Sequence, residues 1–407
     1  MKKIILLVII FALFTSACRQ SAAIVNGNVV DVSSPVPKEF QSMYDEMNSS
    51  LDSFLKLLSP NDSVPPVFAA ELATANGNIG ENLLRPEVMS LLRLELDALK
   101  SMGIKGVVVG IKFPLLEPDF PRSDEYLQFY RQVAAEIRQR RMKILVEVGP
   151  VFAGTIYSSL TFDWSKHTKQ SFIAAQKNEL QLIAREIHPD ILQISNEPTT
   201  IEMLTGYKFT PSEYADFIEE SIRALNNPKD VRLGAGAGTW EDPAYLEKLL
   251  AIQGLDCIDL HIYPIGRNGN LLKQAQKVAR QAHAAGKCVN ISESGLYKIS
   301  SNEMKTMMGQ WENVYRRDVY SFFEPLDEKF IQVLTLFSRA EGVEFVSYFW
   351  TRNFFAYLDY DSVRNLSNQL VNRMINQAFL NALQKGTRSP LGGFYKKWIS
   401  SQNNSTK

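Results

Sequence analysis

One pattern recurs along the chain from about residue 64: a short apolar run, a polar loop, and a segment with apolar residues three or four positions apart. The short runs, rich in Val, Ile and Ala, predict strands, and the spaced segments predict amphipathic helices. An additional helix is predicted at 38–58, before the first strand. The predicted strands are 64–72, 106–113, 143–150, 190–197, 231–238, 257–264, 288–295 and 345–352.

Eight strands that each lead into a helix predict an α/β protein with a (β/α)8 or TIM barrel as a single domain. The strands are too continuously apolar for a sheet with one face in water, which favours a parallel sheet covered on both faces. An open doubly wound sheet is the alternative, but its GxGxxG loop is missing after the first strand, where 73–82 reads "ATANGNIGEN". We interpret the glycines of "LGAGAG" (233–238) as room for close packing inside the barrel.

The first eighteen residues differ from the rest. Lys2 and Lys3 precede the apolar run "IILLVIIFALF", and "TSAC" then ends at Cys18. This resembles a bacterial lipoprotein signal, in which the cysteine is lipidated, and an ordinary secretory signal is the alternative. Both predict export. The lipoprotein interpretation predicts a chain anchored through its N-terminal lipid to the cell envelope, on the periplasmic side or at the cell surface.

Three segments follow from these patterns. We expect a signal peptide with its lipidation cysteine at 1–18, a polar tether and leading helix at 19–63, and the barrel at 64–400.

Composition excludes several classes of function. Of the 407 residues, 45% are hydrophobic, which is ample for a large core, and the formal net charge is zero without a basic stripe. Nucleic acid is therefore not an expected partner. The four histidines lack metal-ligand spacing and no G-x-S-x-G is present, so we expect no metal, no cofactor and no esterase chemistry. We expect a monomer.

Two cysteines remain after Cys18. Cys257 and Cys288 begin the predicted strands six and seven, and an oxidising compartment would allow them to pair. Counting alternate residues back from His261 and Glu293 places the two thiols on opposite faces of the sheet, which argues against a disulfide.

Two acidic residues end strands that face each other across the barrel. Asn196 and Glu197 end strand four, and Glu293 ends strand seven. In this fold, catalytic groups lie at the carboxyl ends of the strands. Taken alone, an Asn-Glu turn is more often a loop or helix cap. Placed on strands four and seven, the two carboxyl groups can flank a glycosidic bond, about 5–5.5 Å apart in a retaining enzyme.

Aromatic and polar residues extend this constellation. His261 and Tyr263 lie two apart on strand six and point the same way, so the tyrosine hydroxyl can keep Glu293 ionised. His261 as a hydrogen-bonded core residue is the alternative. Trp350 ends strand eight, where its face can stack on a sugar ring. Trp240 and Trp164 are predicted in loops above the mouth, as sugar platforms or as loop anchors.

These marks resemble the clan of retaining (β/α)8 glycoside hydrolases that includes cellulases, β-mannanases and β-galactanases. The resemblance rests on Asn-Glu-Pro on strand four, His-x-Tyr on strand six, Glu on strand seven and Trp on strand eight. It implies that Glu197 is the acid/base and Glu293 the nucleophile. It also implies that Asn196 binds the sugar 2-hydroxyl and that Trp350 lies under the cleaved sugar.

Two positions depart from that clan. Many members carry Arg near the end of strand two and His near the end of strand three, where this chain has Lys112 and Glu147. Lys112 is expected to replace the arginine as a substrate-site cation, or else to pair with Glu147 across adjacent strands.

The predicted function is hydrolysis of a β-linked polysaccharide or oligosaccharide by double displacement. The mechanism needs unequal carboxyl groups, so we expect Glu197 to be held protonated and Glu293 ionised. A glycan-binding surface lipoprotein without catalysis and a transglycosylase are the alternatives.

Overall fold

The computed structural model describes residues 35–58, 64–263, 270–303, 310–348 and 350–404. The predicted signal peptide and lipidation at Cys18 lie outside these residues and stay predictions. Among the described helices, none combines the length and the apolar composition needed to cross a bilayer.

Eight parallel strands close into one barrel, with each strand bonded to its neighbours in chain order and β8 bonded back to β1. This confirms the (β/α)8 prediction and excludes the open doubly wound sheet. The strands are β1 Val67–Glu71, β2 Gly106–Phe113, β3 Lys143–Pro150, β4 Ile191–Gln193, β5 Arg232–Gly238, β6 Cys257–Ile262, β7 Cys288–Ser294 and β8 Phe345–Tyr348.

Helices connect the strands and surround the barrel. In chain order, the α-helices of the described residues are α1 Lys38–Leu55, α2 Val88–Ser101, α3 Ser123–Gln139, α4 Lys169–Glu186, α5 Pro198–Thr205, α6 Pro211–Leu225, α7 Pro243–Leu249, α8 Asn270–Ala284, α9 Trp311–Tyr315, α10 Glu324–Ala340, α11 Tyr360–Val363, α12 Asn368–Lys385 and α13 Pro390–Asn404. The helix predicted at 38–58 is present as α1, which ends at Leu55.

The strand pleat divides the core into two parts. On β2, Val107, Val109 and Ile111 belong to the large core between sheet and helices, whereas Val108 belongs to a small apolar cluster inside the barrel. That inner cluster contains only apolar side chains. On four of its five strands the residue two positions further along is polar: Glu71, Glu147, Gln193 and Ser347. The barrel therefore has an apolar lower layer and a polar upper end.

The leading helix α1 lies against α10. It buries Met43, Met47, Leu51 and Phe54, which are spaced three or four residues apart along one face. Burial of such a stripe fixes the helix to the barrel, and the tether predicted before it lies outside the described residues.

The glycines of β5 allow the close packing that the sequence predicted. A Cβ on Gly234 would lie 2.2 Å from the Gln193 side chain, and one on Gly236 would lie 2.1 Å from the carbonyl oxygen of Asp259. Neither distance is possible for real atoms, so neighbouring chains occupy the space that a side chain would need.

The argument against a disulfide is wrong, because β7 contains a bulge. Cys257 lies directly opposite Cys288 and the two are disulfide-bonded, with their Cα atoms 4.4 Å apart. Asp259 pairs with Asn290 and His261 with Glu293, so β7 carries one more residue than β6 over this interval. The extra residue reverses the alternation that counting from Glu293 assumed.

Candidate active site

The end of β4 explains why Asn-Glu-Pro follows a buried strand. Glu197 adopts left-handed backbone angles, with φ 50° and ψ 67°, and Pro198 is the first residue of α5. The carbonyl of Glu197 accepts the amides of Thr200 and Ile201 at 2.9 and 3.0 Å. The chain therefore turns sharply into a helix, and this turn leaves the Glu197 side chain partly exposed at the mouth.

The two predicted glutamates converge. One carboxylate oxygen of Glu197, one of Glu293 and a ring nitrogen of His261 all lie within 4.8 Å of one another. Both glutamates are partly exposed and His261 is buried. Glu197 and Glu293 are ninety-six positions apart in the chain, and the closed barrel brings them to one site.

His261 lies at the centre of the acidic residues. Its Nδ1 is 2.7 Å from Oε1 of Glu197, and its Nε2 is 3.2 Å from Glu147 and 3.3 Å from Asp259. Ser292 Oγ is also 3.1 Å from Nε2. Burial lowers the pKa of His261, but the negative charge of Glu293 and the three carboxylate contacts raise it well above its ordinary value.

Glu293 accepts a hydrogen bond from the hydroxyl of Tyr263, as the sequence predicted. This bond and the charge of His261 lower the pKa of Glu293. Burial has the larger effect and, with the negative charges of Glu197 and Glu147, raises that pKa to about 8. Burial therefore opposes the ionised state expected of Glu293, while Tyr263 and His261 favour it, and the expectation stays a prediction.

Glu197 is hydrogen-bonded through both of its carboxyl oxygens. Its Oε1 faces His261 Nδ1, and its Oε2 accepts the hydroxyl of Thr200 at 2.7 Å. Both carboxyl oxygens of Glu197 therefore have a hydrogen-bonding partner, and the expectation that Glu197 is held protonated stays a prediction.

Two of the predicted tryptophans line the same mouth. Trp240 packs edge to face on Tyr263, with ring centroids 5.8 Å apart. Trp350 packs on Tyr315 at 5.5 Å, and the Arg352 guanidinium lies 4.9 Å above its ring. Trp350 is only 8% exposed.

Trp164 lies in a different environment. It stacks on Phe113 at 5.7 Å and packs against Phe162 and Phe172. Phe113 points outward from the barrel into the core around the helices. These contacts fit the loop-anchor alternative, and among the described residues the ring partners of Trp164 are aromatic side chains away from both glutamates.

Asn196 and Lys112 both offer polar atoms to the site. The Oδ1 of Asn196 is buried and has no hydrogen-bond partner among the described residues, so it is available to a ligand. Lys112 makes no ion pair within 4.0 Å in the described part of the chain, and its charge lowers the pKa values of Glu71 and Glu147. The direct Lys112–Glu147 pair proposed as an alternative is not formed.

Sequence reasoning missed two carboxyl groups. Asp259 lies two residues before His261 and on the same face of β6, so a D-x-H-x-Y pattern would have revealed it. Its oxygens accept the amide and the hydroxyl of Ser292. Glu241 accepts bonds from Thr199 and Gly238, and burial, with the charge of Glu197, raises its pKa to about 7. It lies in a loop, where the sequence carried no signal.

The close carboxylates also raise the question of a metal. Two groups have metal-like spacing, Glu147–Asp259–His261 and Glu197–His261–Glu293. Both depend on His261, whose ring nitrogens each face carboxylate oxygens. A protonated imidazole would supply the positive charge between these carboxylates, so the spacing alone does not indicate an ion.

Comparison with known proteins establishes the fold. No protein-family model and no curated protein sequence matches the chain. Its structure is similar to the exo-beta-1,4-mannosidase Op5Man5 from Opitutaceae bacterium strain TAV5, with a TM-score of 0.55 and 14% identity over 85% of this chain and 61% of that one. This chain therefore covers less than two thirds of the Opitutaceae protein.

Two further solved structures have the same barrel. The GH5_18 protein of Streptomyces cattleya, in complex with GlcNAc, has a TM-score of 0.54 at 13% identity, over 85% of this chain and 82% of that one. The GH5_18 protein of Bifidobacterium longum subsp. longum ATCC 55813 has a TM-score of 0.51 at 13% identity, over 83% and 79%. The chain is thus a (β/α)8 barrel protein with a carboxylate-rich site at the carboxyl ends of its strands.

Proposed function

We propose that the protein is a retaining glycoside hydrolase that cleaves a β-linked polysaccharide or oligosaccharide. The observation that carries the proposal is that one carboxylate oxygen of Glu197 and one of Glu293 lie within 4.8 Å of each other at the barrel mouth. Inverting enzymes need about 6.5–9.5 Å between their carboxyl groups to admit a water molecule, whereas retaining enzymes need about 5–5.5 Å. The shorter spacing supports direct attack by a carboxylate.

In this mechanism, Glu293 attacks the anomeric carbon while Glu197 gives a proton to the leaving oxygen. Water then hydrolyses the glycosyl-enzyme, with Glu197 as the base. Tyr263 orients Glu293, and the free Oδ1 of Asn196 is placed to accept a sugar hydroxyl. Trp350 and Trp240 supply apolar faces for the sugar rings.

The sequence resemblance and the similar solved structures indicate which substrates to test first. Solved barrels of the same shape include one named an exo-beta-1,4-mannosidase, so β-mannosides belong in the first screen, beside glucan, galactan and xylan fragments. The anomer first released, followed by NMR, distinguishes retention from inversion.

Azide rescue tests the two roles. A Glu293→Gly variant should lose turnover of an aryl β-glycoside and regain it in azide with an α-glycosyl azide product, because azide attacks where the carboxylate stood. A Glu197→Gly variant should give the β-glycosyl azide instead. Glu344→Gln is the control, because Glu344 pairs with Arg232 at the opposite end of the barrel.

Full activity in Glu293→Gly would overturn the assignment. Glycan binding by the native protein without hydrolysis of any substrate would favour the non-catalytic alternative. Transfer of the sugar to a glycan acceptor in preference to water would favour the transglycosylase.

A further inference from the structure

His261 lies between four carboxyl groups, and the distances from its ring nitrogens to their oxygens bear on its charge. Nδ1 is 2.7 Å from Oε1 of Glu197, and Nε2 lies 3.2 and 3.3 Å from Glu147 and Asp259. A neutral imidazole has one nitrogen with a lone pair, which would then face a carboxylate oxygen. Only the doubly protonated ring can donate on both sides, so carboxylate oxygens on both sides of the ring favour an imidazolium.

The acceptors around Nε2 are fixed by the sheet. Asp259 is on the same strand as His261, and both of its oxygens accept bonds from Ser292 on β7. Glu147 extends from β3, with its side chain 7% exposed, beside a His261 side chain that is 4% exposed. With so little water present, these carboxylates are the partners that balance the positive charge.

Glu147 lies near the end of β3, at the position where many members of the clan of retaining (β/α)8 glycoside hydrolases carry histidine. A carboxylate here adds a negative charge next to Nε2 instead of a neutral ring. Burial raises the pKa of Glu147, but its bond to His261 and the charges of His261 and Lys112 bring the pKa below the ordinary value. Glu147 is therefore an anion that favours the charged form of His261.

Other titratable groups face this cluster from the neighbouring strands. Glu71 on β1 and Lys112 on β2 act on Glu147, and Glu241 after β5 acts on Glu197. Glu293 on β7 raises the pKa of His261, and Tyr263 bonds to Glu293. Tyr214 on α6 donates to the Gly236 carbonyl and stays protonated, because burial raises its pKa far above neutral.

We propose that His261 stores the proton that Glu197 delivers to the leaving oxygen, and that Glu147 and Asp259 are positioning residues that keep His261 protonated until it does so. The proposal rests on the proposed glycosidase function. It assigns to His261 a proton-holding role in place of direct sugar binding, since both of its ring nitrogens already have hydrogen-bonding partners in the protein.

The proton balance closes over the cycle. First the Nδ1 proton moves to Glu197, giving a carboxylic acid and a neutral imidazole. That proton then passes to the glycosidic oxygen, which takes the electron pair of the breaking carbon–oxygen bond while Glu293 bonds to the anomeric carbon. In the second half, water attacks that carbon and releases Glu293, and its proton returns through Glu197 to Nδ1.

NMR of the uniformly ¹⁵N-labelled full chain tests the first half of the proposal without any substrate. His261 is assigned by its absence in His261→Asn among the four histidines. We expect both ring nitrogens to show protonated shifts at pH 7. One unprotonated nitrogen would overturn the proposal.

Three variants test the positioning role. Glu147→Gln and Asp259→Asn keep the shape but remove a negative charge, so the His261 titration midpoint should fall by at least one pH unit, and the alkaline limb of kcat/KM should fall with it. Glu179→Gln is the matched control, since Glu179 is an equally buried carboxyl on α4. Unchanged midpoints in both site variants would overturn the positioning role.

The dependence of turnover on the leaving group shows whether His261 supplies a proton or only packs in the site. In His261→Asn, turnover of an alkyl glycoside, whose leaving oxygen needs the proton, should fall roughly 100-fold or more. A 2,4-dinitrophenyl glycoside needs no proton and should retain its rate within about tenfold. Equal losses on both substrates would contradict proton storage. An inactive native protein would refute the proposed function, while the NMR result would still decide the charge on His261.

Discussion

The raised pKa of Glu293 predicts an unusual pH dependence for the free enzyme. The nucleophile must be ionised, and burial, opposed in part by His261 and reinforced by Glu197 and Glu147, raises the pKa of Glu293 to about 8. About a tenth of the molecules would then be active at pH 7 and about nine tenths at pH 9. We therefore expect kcat/KM to rise roughly tenfold across this range.

A substitution at Tyr263 tests what determines the pKa of Glu293. Its hydroxyl bonds to Glu293 and lowers the pKa of that carboxyl, so Tyr263→Phe should move the acid limb of kcat/KM to higher pH. The loss of activity in this variant should accordingly be greater at pH 7 than at pH 9. Tyr360→Phe is the matched control, because the Tyr360 hydroxyl bonds to Glu39 on the protein surface at 2.7 Å.

The assay is kcat/KM from initial rates on one aryl glycoside, in buffers of constant ionic strength from pH 5 to 10. The value of kcat/KM reports ionisations of the free enzyme, which is the state described by the structure. A profile already flat above pH 6, or identical profiles for the native and Tyr263→Phe proteins, would refute the reasoning. The flat profile would mean that His261 keeps Glu293 ionised despite its burial, and identical profiles would mean that the Tyr263 bond does not lower the Glu293 pKa.

Two further predictions concern the disulfide and the N-terminus. Cys257→Ser removes the disulfide between residues 31 positions apart, which limits the conformations of the unfolded chain. The free energy of unfolding, measured by urea titration, should therefore fall by about 3–4 kcal/mol. Reductant should then destabilise the native protein but not the variant, and equal stability of the two oxidised proteins would contradict this. Cys18→Ser should move the expressed protein from the membrane fraction to the soluble fraction, and retention in the membrane would exclude lipid anchoring through Cys18.

The repeated strand and helix pattern was sufficient to predict the barrel. The periodicity of hydrophobic residues is a local property, because a few consecutive residues define each strand and each apolar helix face. Eight such units leave few alternatives to a closed parallel sheet. That closure then predicted that Glu197 and Glu293 share one mouth, and that Tyr263 reaches Glu293.

The bulge in β7 shows where local counting fails. Strict alternation predicted that Cys257 and Cys288 lie on opposite faces, whereas one extra residue in β7 places them side by side. A bulge is decided by how two strands pair, and the sequence of one strand does not contain that information.

The sequence by itself determined which residue types stand at the strand ends, because that follows from local periodicity and chain order. Only the tertiary structure decided where the protons reside. The charge on His261 depends on Glu147, Glu197 and Asp259, which come from three different parts of the chain. Electrostatic energy varies with distance and burial, and both quantities exist only once the barrel has closed.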